Sequence, residues 1–234
     1  MKRPLLLSAL LCLAACLLLT AAPAPLPVSA PAPAAPRLLA LTFDDGPHPA
    51  CTDRILDTLA ACDAHATFFV LGSKIESSLP QLARMVNEGH MIANHTWDHL
   101  DLTKLDAQAI TRQIGSVYGS IQGLCGATPW LVRPPFGFAN EAVRQNCEYP
   151  IICWSVDTLD WAWLDADRVT AHVLEHADDG AIVLMHDIYP TTADAVEKLV
   201  PALQARGFTL VTVAELFARK DIPLEPGHVY YHAG

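Results

Sequence analysis

Two adjacent carboxylates, Asp44 and Asp45, close the apolar run "LALTFDD" and are followed at once by Gly46-Pro47. Acids before such a break ordinarily make a tight turn. Further along, "NHTWDH" carries His95 and His99 at i, i+4 spacing. On a helical turn this spacing sets both imidazoles on one face, within reach of one metal ion. Two histidines leave an ion short of ligands. Asp45 or Asp44 would complete a two-His, one-Asp set with positions left for water and substrate. Arg133, ahead of two stiffening prolines in "RPPFG", is suited to hold a carboxylate in a fixed pose. His186 in "LMHD" is a candidate proton donor, and Asp157 in "VDTLDW" a carboxylate to orient it and raise its pKa. Asp187 reads equally well as a turn or capping acid. A second pair, His172 and His176, lies in a regular amphipathic segment away from any strand end and reads as a solvated helix face.

The elements that must position these groups follow from hydrophobic periodicity. "RLLALTF", "ATFFVLG", "HMIANHT", "PWLVRPP", "PIICWSVDT", "GAIVLMHD" and "FTLVTVAEL" read as strands. Between them, "TDRILDTLAACD" (capped by Thr52), "SLPQLARMVNEG", "DAQAITRQIGSVYGSIQGL", "NEAVRQNC", "DADRVTAHVLEHA" and "TTADAVEKLVPALQARG" read as helices. Near-continuous apolar strands joined by crossover helices indicate a mainly parallel sheet covered by helices. About seven such units predict an α/β fold, a small, incomplete (β/α) barrel. In such a barrel the C-terminal strand ends share one mouth, so the scattered polar residues above converge.

Composition bounds the rest. With 52% hydrophobic and 17% charged residues, the 234-residue chain suits one globular domain with a sizeable core. Residues 1–22 pair Lys2 and Arg3 with a long apolar run, an export signal that places the protein in a periplasmic, extracellular or membrane-anchored setting. Cleavage after "APA" (32–34), lipidation at Cys16 and retention of the leader as a membrane anchor stay open. Residues 23–36 are a Pro/Ala tether, the domain runs over 37–221, and 222–234 form a C-terminal tail with Tyr230 and Tyr231. Losing Lys2 and Arg3 takes the formal charge from −10 to −12, which argues against a nucleic-acid partner and for a neutral or weakly charged substrate. Five of the seven cysteines lie beyond the leader. Cys125 and Cys147, flanking "RPPFG", are the expected bridge, and Cys153 reads as a buried free thiol.

"TFDDGP", "HTWDH", "RPPFG", "DTLDW" and "LMHD" occur in the order and approximate spacing of the five motifs of the polysaccharide deacetylases, the NodB-homology or family 4 carbohydrate esterases. The resemblance spans roughly residues 37–221 and implies a distorted (β/α) barrel. It implies metal-dependent removal of N-acetyl groups from N-acetylglucosamine polymers such as chitin oligomers, peptidoglycan or exopolysaccharide, or of O-acetyl groups from xylan. Carried onto this chain, it implies Asp45, His95 and His99 as metal ligands, Zn2+ foremost, with Co2+, Ni2+ or Mn2+ as alternatives. Asp44 would be the general base held by Arg133, and His186 the general acid tuned by Asp157. The Phe136 amide would bind the oxyanion, and Trp161 and Leu184 would shape the acetyl pocket. Phe136 stands where many members carry Tyr, which leaves a backbone contribution intact. A scaffold that has lost catalysis and only binds carbohydrate would lack one of these groups. An iron-dependent oxygenase could use two histidines and one carboxylate, but it would leave the strand-end His186 without a role.

Overall fold

The computed structural model describes residues 36–234, so the leader, Cys16 and nearly all of the tether lie outside the described residues. The first half alternates β1 (Arg37–Asp44), α1 (Pro49–Ala61), β2 (Thr67–Val70), α2 (Leu79–Asn87), β3 (Met91–Asn94) and α3 (Ala107–Cys125). The second half contains α4 (Glu141–Gln145), β4 (Ile151–Ile152), β5 (Val156–Asp157), α5 (Asp160–Trp163), α6 (Ala166–His176) and β6 (Ile182–His186). It ends with α7 (Pro190–Ala205), β7 (Phe208–Leu210), α8 (Val213–Arg219) and β8 (Val229–Tyr230).

The sheet is parallel, in the order β3-β2-β1-β6-β5, with β7 also pairing β1. Single parallel bridges carry the pairing from Asn94 to Val132 and from Val132 to Ile151, and β4 pairs β8. The tail then bridges Ala181, just ahead of β6, through His232. Within residues 222–234, Val229, Tyr230 and His232 thus pair with the rest of the fold.

The period-2 alternation of β1 decides which side chains meet. Leu39, Leu41 and Phe43 are fully buried in the apolar layer shared with α1 and α7, where Phe43 stacks on Phe68 at 5.1 Å. Leu38 and Ala40 point to the opposite face, into a smaller cluster with Phe69, Ile152 and Ile182. Thr42 and Asp44 continue that second face. Because Asp44 is in register with His186 and Thr42 with Leu184, both strands deliver their functional residues to the same mouth.

Several sequence expectations change in physical detail. The run "PWLVRPP" forms one bridge at Val132 instead of a strand: two prolines lack N–H groups, and the Arg133 carbonyl is taken by the His95 ring. "PIICWSVDT" splits into β4 and β5, since the Ile152 and Cys153 carbonyls accept from the Arg133 guanidinium. "FTLVTVAEL" is a strand only to Leu210; Thr212 and Glu215 form a capping box that starts α8. Thr52 is not the cap of α1. The helix starts at Pro49 with His48 as N-cap, and the Thr52 hydroxyl binds the His48 amide and Asp187. The expected Cys125–Cys147 disulfide is absent: all five described cysteines are free. The Cys147 thiol is buried against the Tyr149 carbonyl, and burial pushes its pKa up to about 11. Cys153 is buried and free.

Candidate active site

The cleft at the strand C-termini has a volume of about 390 Å³ and is lined by Asp44, Asp45, His95, His99, Phe136 and Trp154 on one side. Asp157, Trp161, Leu184, His186 and Tyr189 complete it. A larger depression of about 690 Å³ beside α3 is more open and gathers no comparable set of acids and imidazoles.

Asp45, His95 and His99 each offer one ligand atom, and these atoms lie within 4.8 Å of one another. Asp45 Oδ1 is 3.4 Å from His95 Nε2 and 3.3 Å from His99 Nε2, yet this buried oxygen makes no hydrogen bond. A buried oxygen without a partner is costly. The His95 Nδ1 atom donates to the Arg133 carbonyl at 2.7 Å, leaving the Nε2 lone pair aimed at the same point. An orphaned carboxylate oxygen and two imidazole nitrogens around one point fit a divalent cation.

The charges are tightly coupled. Burial works against ionised Asp45, but contact with His95 and the charges of His99 and His186 prevail and hold its pKa at about 2. His95 is raised, because Asp44 and Asp45 overcome a large burial penalty. His99 is lowered by burial and by its neighbour His95.

His95 and His99 are not on a helical turn. They lie in an irregular loop in which Thr96 (φ 70°) and His99 (φ 56°) are left-handed, and the rings end 5.1 Å apart. Asp45 (φ 71°) and Phe136 (φ 61°) are left-handed too. Such backbone strain, concentrated on one cleft in non-glycine residues, is characteristic of functional sites. Gly46 follows Asp45 because the buried Asp187 carboxyl occupies the space a Cβ would need. Asp187 faces away from the cleft, accepting from Thr52 at 2.5 Å, and burial raises its pKa to about 7.

Arg133 is fully buried and gives Asp44 Oδ1 a 2.7 Å ion pair. The same nitrogen donates to Thr42 at 2.8 Å, while the remaining donors reach the Ile152 and Cys153 carbonyls. Asp44 is thus locked beside the cation site, with Oδ2 3.7 Å from His95 Nε2. Across the cleft, the partner of His186 is Asp160 and not Asp157. His186 Nδ1 donates to Asp160 Oδ1 at 2.7 Å, and the His186 amide and Thr192 hydroxyl both bind Oδ2. Burial opposes a charge on His186, but Asp160, then Asp44 and Asp45, push its pKa up to about 9. Asp157 lines the cleft and accepts from the Leu159 amide at 3.0 Å. The sequence signal for Asp160 lay three residues on in the same "DTLDW" stretch. It reads as a helix-start acid until α5, flanked by left-handed Leu159 and Leu164, turns it inward. The Phe136 amide makes no hydrogen bond among the described residues, and its ring packs edge-on against His99 at 4.8 Å.

The polysaccharide deacetylase family model matches residues 32–149, about half of the chain. The chain belongs to the polysaccharide deacetylase family. Among curated members, the peptidoglycan-N-acetylglucosamine deacetylase PgdA of Listeria monocytogenes is 42% identical over 82% of this chain. A chitooligosaccharide deacetylase of a Bradyrhizobium strain is 36% identical over 77% of this chain and 90% of its own length. This deacetylase-family chain spans only 41% of the Listeria protein. In three dimensions, the family 4 acetyl xylan esterase of Clostridium thermocellum, solved with a cobalt ion, superposes with a TM-score of 0.80 at 33% identity, over 84% of this chain and 98% of the esterase. The family and its fold are thus shared by enzymes named for both amide-linked and ester-linked acetyl groups.

Proposed function

We propose that this chain is a metal-dependent hydrolase that removes N-acetyl groups from an N-acetylglucosamine-containing polysaccharide of the cell wall or of chitin type. The observation that carries the reading is the orphaned Asp45 Oδ1 facing two imidazole nitrogens, with an arginine-locked carboxylate on one side and an aspartate-paired imidazole on the other. Asp45, His95 and His99 would hold the ion. Zn2+ suits this donor set, and Co2+, Ni2+ and Mn2+ are alternatives; when bound, the ion supplies Lewis-acid polarisation of the acetyl carbonyl.

The chain's own residues would do the rest. Trp161 and Leu184, both lining the cleft, receive the acetyl methyl. Asp44 takes a proton from the water that attacks the carbonyl carbon, and Arg133 keeps its carboxylate aimed. The unpaired Phe136 amide donates to the developing oxyanion. As the C–N bond breaks, His186 gives its proton to the departing amine, so acetate and a free amino sugar leave. Asp160, rather than Asp157, holds His186 in its charged form. The apolar leader at residues 1–22 supports action outside the cytoplasm, where such glycans lie.

The decisive experiment measures acetate release from chitooligosaccharides, peptidoglycan and acetylxylan, with and without a chelator. Release from the N-acetylated glycans that chelation stops, and that added Zn2+ restores, is expected. Release confined to acetylxylan would select the esterase reading suggested by the Clostridium relative. Release from none, or release indifferent to chelation, overturns the proposal. A second expectation concerns pH. An acid must be protonated to act, so kcat should fall only as pH rises through about 9, the pKa of His186. Asp160→Asn removes the largest raising partner and leaves burial opposed only by Asp44 and Asp45, so the fall should begin at a distinctly lower pH than in the wild type. An unmoved alkaline limb would remove His186 from the role of acid.

A further inference from the structure

Tyr189 is a polar side chain of the cleft with neither a hydrogen-bond partner among the described residues nor a part in the chemistry above. Asp157, also outside that chemistry, is engaged by the Leu159 amide. Tyr189 lines the cleft and packs edge-on against the His186 ring, with centroids 6.1 Å apart. Its hydroxyl makes no hydrogen bond among the described residues, whereas Tyr230 of the tail binds the Glu225 amide and the Pro223 carbonyl.

Nor does local structure call for this residue. Tyr189 is the N-cap of α7, a position that favours Ser, Thr, Asp or Asn because their side chains bind the free amides of the first turn. The Tyr189 side chain makes no capping bond; only its backbone carbonyl serves the helix, by accepting from Thr192 and Ala193. The backbone holds the helix start while the ring is turned into the cleft. Burial, Asp45 and Asp160 raise the phenol pKa above its ordinary value, so the hydroxyl stays a donor throughout the working range.

A phenol beside His186 lies close to where the departing nitrogen, which takes the His186 proton, must sit. In a 2-acetamido sugar, the polar atoms nearest that nitrogen are the oxygens on the two flanking carbons. We propose that Tyr189 contacts the substrate, donating a hydrogen bond to an oxygen on a carbon that flanks the amide-bearing carbon of the sugar in the cleft. This inference rests on the deacetylase reading for its ligand.

Tyr189→Phe removes the hydroxyl and keeps the ring, so the pocket and α7 are preserved. KM for chitotetraose should rise about three- to tenfold, the loss of one neutral hydrogen bond, with kcat and bound metal little changed. Calorimetric binding of chitotetraose in an Asp44→Asn background should weaken by the same factor on adding Tyr189→Phe. Unchanged KM and Kd would overturn the contact, as would a fall in kcat at constant KM. A wild-type protein that releases no acetate, but whose tetramer binding weakens in Tyr189→Phe, would retain Tyr189 as a ligand contact and end the deacetylase reading. Failure of the wild type to bind any glycan would end both.

Discussion

Asp44→Asn is expected to lower kcat for acetate release by about 10²- to 10⁴-fold, the range typical for loss of a general base, with KM and metal content close to wild type. The two aspartates are sequence neighbours, and each has a carboxylate oxygen within 4 Å of His95 Nε2, so proximity alone does not separate their roles. Their surroundings do. One oxygen of Asp44 is already committed to Arg133 at 2.7 Å, whereas Asp45 Oδ1 is buried without a hydrogen-bond partner among the described residues. Asn at position 44 keeps the shape and can still accept from Arg133, but it cannot take a proton from water. Metal analysis of the purified variant, alongside acetate kinetics, checks the assignment. If the metal is lost together with activity, Asp44 is a ligand and the division of labour between the two acids is wrong.

Arg133→Met is expected to destabilise the fold by about 3–5 kcal/mol, the usual cost of removing one partner from a buried ion pair. Arg133 is among the largest fully buried side chains, lies 4.1 Å over the Phe69 ring, and satisfies Asp44, Thr42 and two carbonyls. Methionine can fill much of the volume, but it leaves the buried Asp44 carboxylate without its ion-pair partner. Chemical denaturation read by circular dichroism measures the loss. Adding Asp44→Asn to Arg133→Met should recover part of it, because the unpaired charge disappears. No recovery would mean that the carbonyl contacts, not the ion pair, account for the arginine's contribution. Activity should be lost in both variants, so the arginine serves the fold and the base through one guanidinium.

The parallel α/β organisation was legible in the alternation of apolar runs with amphipathic segments, and the convergence of the polar residues followed from the strand-end rule. What periodicity could not show was where pairing stops. Val132 bridges for a single residue because the Arg133 carbonyl is diverted to His95, a contact that spans 38 residues. The helix after Leu210 was in principle readable from Thr212 and Glu215, whose capping-box spacing was overshadowed by the apolar run before it.

At the site, residue types and their order along the chain pointed to Asp44, Asp45, His95, His99, Arg133 and His186, since acids, imidazoles and an arginine at successive strand ends have few other reasons to recur. Sequence spacing, however, suggested a helical turn for the histidines and Asp157 as the partner of His186. The tertiary structure decided otherwise. Left-handed backbone at Thr96 and His99, which no propensity scale anticipates, brings the two rings together, and the left-handed Leu159 swings Asp160 beneath His186. Side-chain type sets what chemistry a chain can perform. Which acid meets which base depends on φ and ψ at a few strained residues and on strand register, and these are settled only when the surrounding core is packed.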